Sequence, residues 1–160
     1  MSAPIIHLED YYLEKVLIER TRSEEEALVD AVTASFDFDY IVQRNADNSH
    51  QFALTFIVRD NAKAKTSHPQ VYKFDLRLIG FFRFEENVEE EKMQWLIRYN
   101  GGTILYGILR GMITNMTAAF PEGPIRMPTI MMDEVVKKVE GLKGKPAKKK
   151  PVKKRPKGSN

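Results

Sequence analysis

Apolar and polar side chains alternate through three separate stretches of this chain. Phe36, Phe38 and Tyr40 fall on one side of the first, with Ser35, Asp37 and Asp39 on the other. Phe52, Leu54, Phe56 and Val58 share one side of the second, while Tyr72, Phe74, Leu76 and Leu78 oppose Lys73, Asp75 and Arg77 in the third. A period of two is that of a strand with one buried face. The polar cluster at 45–49 predicts a hairpin turn between the first two strands, and residues 60–69, ending in His68-Pro69, predict the next loop. Upstream, residues 10–20 mix aromatic and β-branched side chains with charges and predict a further strand; their Leu and Glu content allows a short helix as the alternative. Residues 21–26 are polar and predict a loop. Three or four such strands make an antiparallel sheet that is dry on one face and wet on the other.

The period then changes. Residues 89–99 predict a short helix with acids at its start and Met93, Trp95, Leu96 and Ile97 as its apolar content, broken by Asn100-Gly101-Gly102. Between 103 and 119, Ile104, Leu105, Ile108, Leu109, Met112, Ile113 and Met116 recur at the spacing of one helical stripe, which Phe120-Pro121 ends. Pro121, Pro124 and Pro128 punctuate a connecting loop, and residues 132–142 predict a last amphipathic helix. Strands first and helices afterwards define an α+β class, here a four-stranded antiparallel sheet followed by two main helices.

Charge divides the chain further. The net charge of +3 conceals nine Lys or Arg and no acid after Gly141, against 16 basic and 22 acidic residues in 1–142, a net of −6 for that body. Residues 1–142 are therefore expected to form one folded domain, and 143–160 a disordered Lys-rich tail that cannot bury apolar surface. The chain has no cysteine, which removes disulfides and thiolate chemistry and fits a reducing, cytoplasmic setting. No basic flank precedes a long apolar run near the start, so no signal peptide is expected. Nothing approaches the ~18 uninterrupted apolar residues of a membrane span.

Candidate chemistry is sparse. His7, His50 and His68 lie in different elements without metal-ligand spacing and read as exposed loop residues. Gly101-Gly102 precedes a helix, as a phosphate-binding loop would, but lacks the Lys-Ser/Thr that follows in such loops. Asp37 and Asp39 read as a solvated strand face, and no nucleophile sits in a strand–turn–helix elbow. The expectation is a protein that is not an enzyme and needs no cofactor or metal. The phenylalanines, together with Met127, Met131 and Met132 where a loop enters a helix, point instead to a surface that fits apolar partners, because flexible thioethers adapt to many shapes. The long helix is only weakly polar opposite its stripe, with Tyr106, Thr114, Asn115 and Thr117 there and Arg110 its one charge, as suits a helix lying against a second subunit.

One ordered series runs from residue 72 to 136. It comprises Asp75 on the last strand, Gly80-Phe81-Phe82 leaving that strand, a short helical segment, and a long apolar helix ended by Phe120-Pro121. A proline-containing loop then reaches Pro128, and Asp133 opens the final helix. This series resembles the bacterial protein-export chaperone SecB; residues 12–19 also look like that family's first strand, so the likeness spans about 5–142. The resemblance implies ATP-independent holding of unfolded, usually secretory, polypeptides by a dimer of dimers assembled through the long helix. Client grooves would involve Phe36, Phe38, Phe120, Ile125, Met127, Ile130, Met131, Val135 and Val139. The oligomer interface would involve Ile104, Tyr106, Ile108, Arg110 and Met112. Glu19 and Asp75 match acidic positions that dock the translocation motor SecA.

Two departures bear on that last expectation. Lys15 stands where the family has another acidic docking residue, and the tail is polylysine rather than acidic or neutral. A SecB-like chaperone with different partners, such as one dedicated to an antitoxin, fits the sequence equally well. A different class also fits the tail: a nucleic-acid- or ribosome-associated protein, or one drawn to anionic surfaces, held by its polybasic segment.

Overall fold

The computed structural model describes residues 5–20, 36–61, 72–121 and 123–143. The expected loop at 21–26, the part of the 60–69 loop after Asn61, His68 and the tail beyond 143 lie outside these residues. Four antiparallel strands form one sheet: β1 (Ile6–Arg20), β2 (Phe36–Arg44), β3 (Gln51–Asp60) and β4 (Tyr72–Phe84), in the order β1-β4-β3-β2. The β2–β3 hairpin pairs Phe38 with Val58, Tyr40 with Phe56 and Val42 with Leu54, so the alternating residues share one face. Against β3, β4 pairs Phe82 with Phe52, Leu78 with Phe56 and Leu76 with Val58, which extends the same apolar sheet. The first strand begins four residues earlier than its charge pattern suggests, and two register shifts, at Leu8/Asp10 and Leu13/Lys15, accommodate its irregular alternation.

The helical layer differs most from the sequence reading. Helix α1 (Glu90–Leu96) does not break at Asn100-Gly101-Gly102. A π-helical segment, Ile97–Gly101, carries it directly into α2 (Gly102–Met116), with Gly101 and Gly102 both at φ −58°. Packing explains this. A Cβ on Gly101 would stand 3.2 Å from Leu54 Cδ2, and one on Gly102 only 2.9 Å from Met132 Sδ. The glycines thus let the rod approach the sheet and the last helix, α3 (Met132–Lys143), and they are not a breaker. They also cannot form a phosphate loop, because no helix begins there. Gly80 serves the same end from the sheet: its missing side chain leaves room for Leu105, whose Cδ2 would lie 2.6 Å from a Cβ.

The single stripe predicted for the long helix splits in two. Leu105, Leu109 and Ile113 are fully buried against the sheet, joined by Tyr106. Ile104 and Met116 are exposed, and Ile108 and Met112 are half-buried. Tyr106, expected at a subunit interface, instead faces inward, edge-on to Phe38 at 5.6 Å and 5.9 Å from Phe56. The helix ends at Met116, and its connection to α3 is tied back by polar bonds. Thr117 is fully buried: its Oγ1 donates to the Ile113 carbonyl at 2.7 Å and accepts from Ile125 N–H at 2.8 Å. Replacing Thr117 with valine keeps the shape but strands the Ile125 N–H. We expect a loss of ~1–3 kcal/mol, measured by urea unfolding, with early amide exchange at Ile125.

The outward sheet face is not uniformly wet. Ile57, paired with Asp39 on one side and Arg77 on the other, is buried, and Tyr12 and Phe81 stand 6.0 Å apart as an exposed aromatic pair. Among the described residues, no helix is long and apolar enough to cross a membrane.

Candidate client-binding groove

Strand β2 turns Phe36 and Phe38 toward the helical side, where α3 and its preceding loop cover them only in part. Phe38, Thr129, Ile130, Met131, Glu134, Val135 and Lys138 line an open cleft of about 280 Å³. Four residues singled out in the sequence, Phe38, Ile130, Met131 and Val135, therefore converge on one feature. Met131 is 64% exposed, so most of its side chain is open to solvent at the cleft. Away from the cleft a row of rings continues: Phe38 to Phe36 at 6.2 Å, Phe36 to Phe74 at 5.2 Å, Phe74 to Tyr72 at 6.2 Å, and Tyr72 stacked on Phe120 at 5.3 Å. Tyr72 and Phe74 in that row are buried, so it runs beneath the surface from the cleft to the end of α2, and only Phe36 and Phe120 are half-buried.

The other expected client residues sit elsewhere. Ile125 and Met127 are buried and hold the connecting loop onto the core, and Val139 is buried under α3. Val135 is also buried and supplies the cleft floor. These side chains shape the groove from below, and the accessible contacts are Phe36, Phe38, Phe120, Ile130 and Met131. Sequence reasoning missed two positioning residues. The Tyr106 hydroxyl donates to the Pro128 carbonyl, and Thr114 Oγ1 lies 3.3 Å from the Ile125 carbonyl oxygen, so α2 grips the loop that carries Met131. The available signal was a Tyr and two Thr on a helix otherwise rich in aliphatic residues, which the proximity of a loop explains.

Charged groups frame the cleft. Lys138 pairs with Asp37, bridging α3 and β2 at its rim. Farther along, Glu140 accepts from Tyr40 Oη at 3.1 Å and pairs with Arg98 Nε at 2.9 Å. Burial, reinforced by the neighbouring Glu140 charge and hydrogen bond, pushes the Tyr40 phenol up to about 12. A phenol whose folded value exceeds its unfolded value near 10 stabilises fully below pH 10, and that contribution fades as pH rises toward 12. Wild type should therefore lose stability faster than Tyr40→Phe between pH 10 and 12, with thermal melts across that range as the check.

The residues matched to motor docking lie on the opposite face. Asp75 is held by the Lys15 ammonium, with Arg77 at 3.7 Å and Arg59 at 3.9 Å. The Lys15 hydrogen bond keeps its carboxyl below the usual carboxylate range despite its burial. Its charge is already matched within the chain. Glu19 remains exposed across from Lys73. His7, read as a loop residue, is in β1 and pairs with Glu85 at 3.0 Å, while His50 sits in the hairpin turn. Of the residues expected to meet a second subunit, Ile104 and Arg110 are exposed and Ile108 and Met112 half-buried on α2.

No protein-family model and no curated protein matches the chain. Among solved structures, it is similar to the SecB-like chaperone Rv1957 of Mycobacterium tuberculosis, solved with a ChAD peptide from the HigA1 antitoxin. Identity is 14%, the match covers 78% of this chain and 90% of that one, and the TM-score is 0.58. A protein of unknown function from Streptococcus agalactiae matches at 8% identity over 80% of this chain and 100% of that one, with a TM-score of 0.42. The first likeness shows that the sheet and its helices adopt a SecB-like fold.

Proposed function

We propose that this SecB-like fold works as an ATP-independent holding chaperone, binding apolar segments of unfolded polypeptide without converting them chemically. The observation that carries this reading is the open cleft of Phe38, Ile130, Met131 and Val135, with Phe36 and Phe120 half-buried farther along. Each apolar client side chain buried there contributes on the order of 1–3 kcal/mol, so several weak contacts suffice. Release needs no nucleotide, since it follows when the client folds or another protein captures it. The M. tuberculosis SecB-like chaperone was solved with an antitoxin peptide, which supports a polypeptide as the occupant here too. With Asp75 neutralised by three neighbouring cations, a dedicated client is favoured over delivery to SecA. We place this activity in the cytoplasm.

Association of subunits is part of the proposal. Helix α2 lies over β3 and β4, and its outer face carries Ile104, Ile108 and Met112 beside Gly107 and Gly111, which have open space around them. Beside it, the helical face of β1 leaves Tyr11 and Val16 exposed, opposite Gly80 and Leu76 in the register. A second copy would cover both, and pairing of dimers into a tetramer would bring several clefts to one client. Static light scattering of the intact chain should give the tetramer mass. In a client-aggregation assay, stoichiometric protein should suppress turbidity; folded protein that gives no protection at any ratio sinks the chaperone reading.

A further inference from the structure

Trp95, the chain's one tryptophan, is 53% exposed and stacked on Tyr99 with ring centroids 4.8 Å apart and planes at 18°. Tyr99 is half-buried at the edge of the core, Trp95 lies outside it, and neither ring lines the client cleft. Two large rings held parallel on a helix surface form a platform that costs little to order and suits a partner with flat or cationic groups. Glu91 stands one helical turn before Trp95. Together with Glu86 and Glu89, it has no ion pair among the described residues, whereas Glu90 is matched by Arg44 and Glu85 is hydrogen-bonded to His7.

The course of α3 indicates what reaches this platform. The helix starts against Gly102, through Met132, and by Glu140 has come back to Arg98. It therefore runs antiparallel to the helical rod, toward α1. Beside it β2 ends at Arg44, whose guanidinium pairs with Glu90 at 2.7 Å. The chain thus leaves α3 at Lys143, less than a turn beyond the Glu140–Arg98 pair, and Arg98 follows Trp95 by three positions on the rod. Seventeen residues follow, 144–160, with eight Lys or Arg, no acid, and prolines at 146, 151 and 156. Proline favours an extended polyproline conformation that lays its rings flat on aromatic faces. Lysines add cation–π contacts and find the unmatched glutamates.

We infer that this Lys/Pro-rich segment lies back across Trp95 and Tyr99 of its own chain. The platform supplies stacking, Glu86, Glu89 and Glu91 supply charge complementarity, and the short tether supplies an effective concentration of about millimolar. The inference stands on different residues from the client groove and does not depend on it.

Because there is one tryptophan, its fluorescence reports the contact in the full-length protein. Acrylamide should quench Trp95 about two- to three-fold less efficiently at low salt than at about 1 M salt, where screening within ~3 Å frees the segment. The full-length variant Lys148→Glu/Lys149→Glu/Lys150→Glu should show the high-salt quenching already at low salt. Equal quenching of wild type and this variant at low salt overturns the inference. Protection that holds over a hundred-fold dilution supports contact within the molecule, and protection that disappears on dilution overturns it. Separately, Trp95→Ala should speed tryptic cleavage after residue 143 several-fold at low salt; an unchanged cleavage rate counts against the platform.

Discussion

Replacing Met131 with aspartate is expected to weaken client binding by roughly ten- to a hundred-fold while leaving the melting temperature within ~2 °C of wild type. The two halves of this result come from the same fact. Met131 is 64% exposed at the mouth of the cleft, so no core contact is lost when it changes, and surface substitutions of that kind usually fall within ~0.5 kcal/mol. A client that lays an apolar side chain on the thioether would instead meet a carboxylate. It would forfeit on the order of 1–3 kcal/mol of burial, and would also have to desolvate a charge. Fluorescence anisotropy with a labelled unfolded segment, paired with a thermal melt, separates binding from folding. Unchanged affinity in a stable Met131→Asp protein would mean that clients bind elsewhere.

A second large effect is expected at Tyr106. Truncation to alanine should destabilise the chain by ~3–5 kcal/mol, the range for deleting a large aromatic from a core. The ring fills the space between Phe38 and Phe56, and the hydroxyl holds the Pro128 carbonyl. Tyr106→Phe is the informative companion. It keeps the ring and removes one hydrogen bond, for a loss nearer ~1 kcal/mol, yet it frees the loop carrying Ile130 and Met131. Urea titrations should rank wild type, Tyr106→Phe and Tyr106→Ala in that order. Client affinity should already fall in Tyr106→Phe, and a phenylalanine variant that binds and melts like wild type would remove the latch from the mechanism.

The sheet was readable because its alternation is strict: Phe52, Leu54, Phe56 and Val58 could face only one way. The α+β order and the final helix were readable for the same reason, since period and punctuation are local properties. What could not be read depended on contacts distant in sequence. Asn100-Gly101-Gly102 looks like a stop when viewed alone; only the nearness of Leu54 and Met132 makes two helical glycines necessary. Likewise, the aliphatic residues of the long helix formed one stripe on paper, but sheet width decides how many can be covered, and Ile104 and Met116 are left outside. For the groove, the sequence named Phe38, Ile130, Met131 and Val135 among the client residues, and these four line one cleft. It could not separate them from Ile125, Met127 and Val139, which are equally apolar and differ only in being buried. Thr117 left a fainter trace, a single hydroxyl whose partner lies eight residues downstream.

The π-helical turn at Ile97–Gly101 sets the rotational phase between the two halves of the rod. A residue inserted into or taken from that turn would rotate everything beyond it by about 100°. Leu105, Leu109 and Ile113 would swing off the sheet, while Trp95 kept its heading. Length at this point of the chain is consequently under a constraint of its own, beside the one that buried Ile97 and Gly101 place on composition: the tally of residues works as a gear tooth that cannot be skipped.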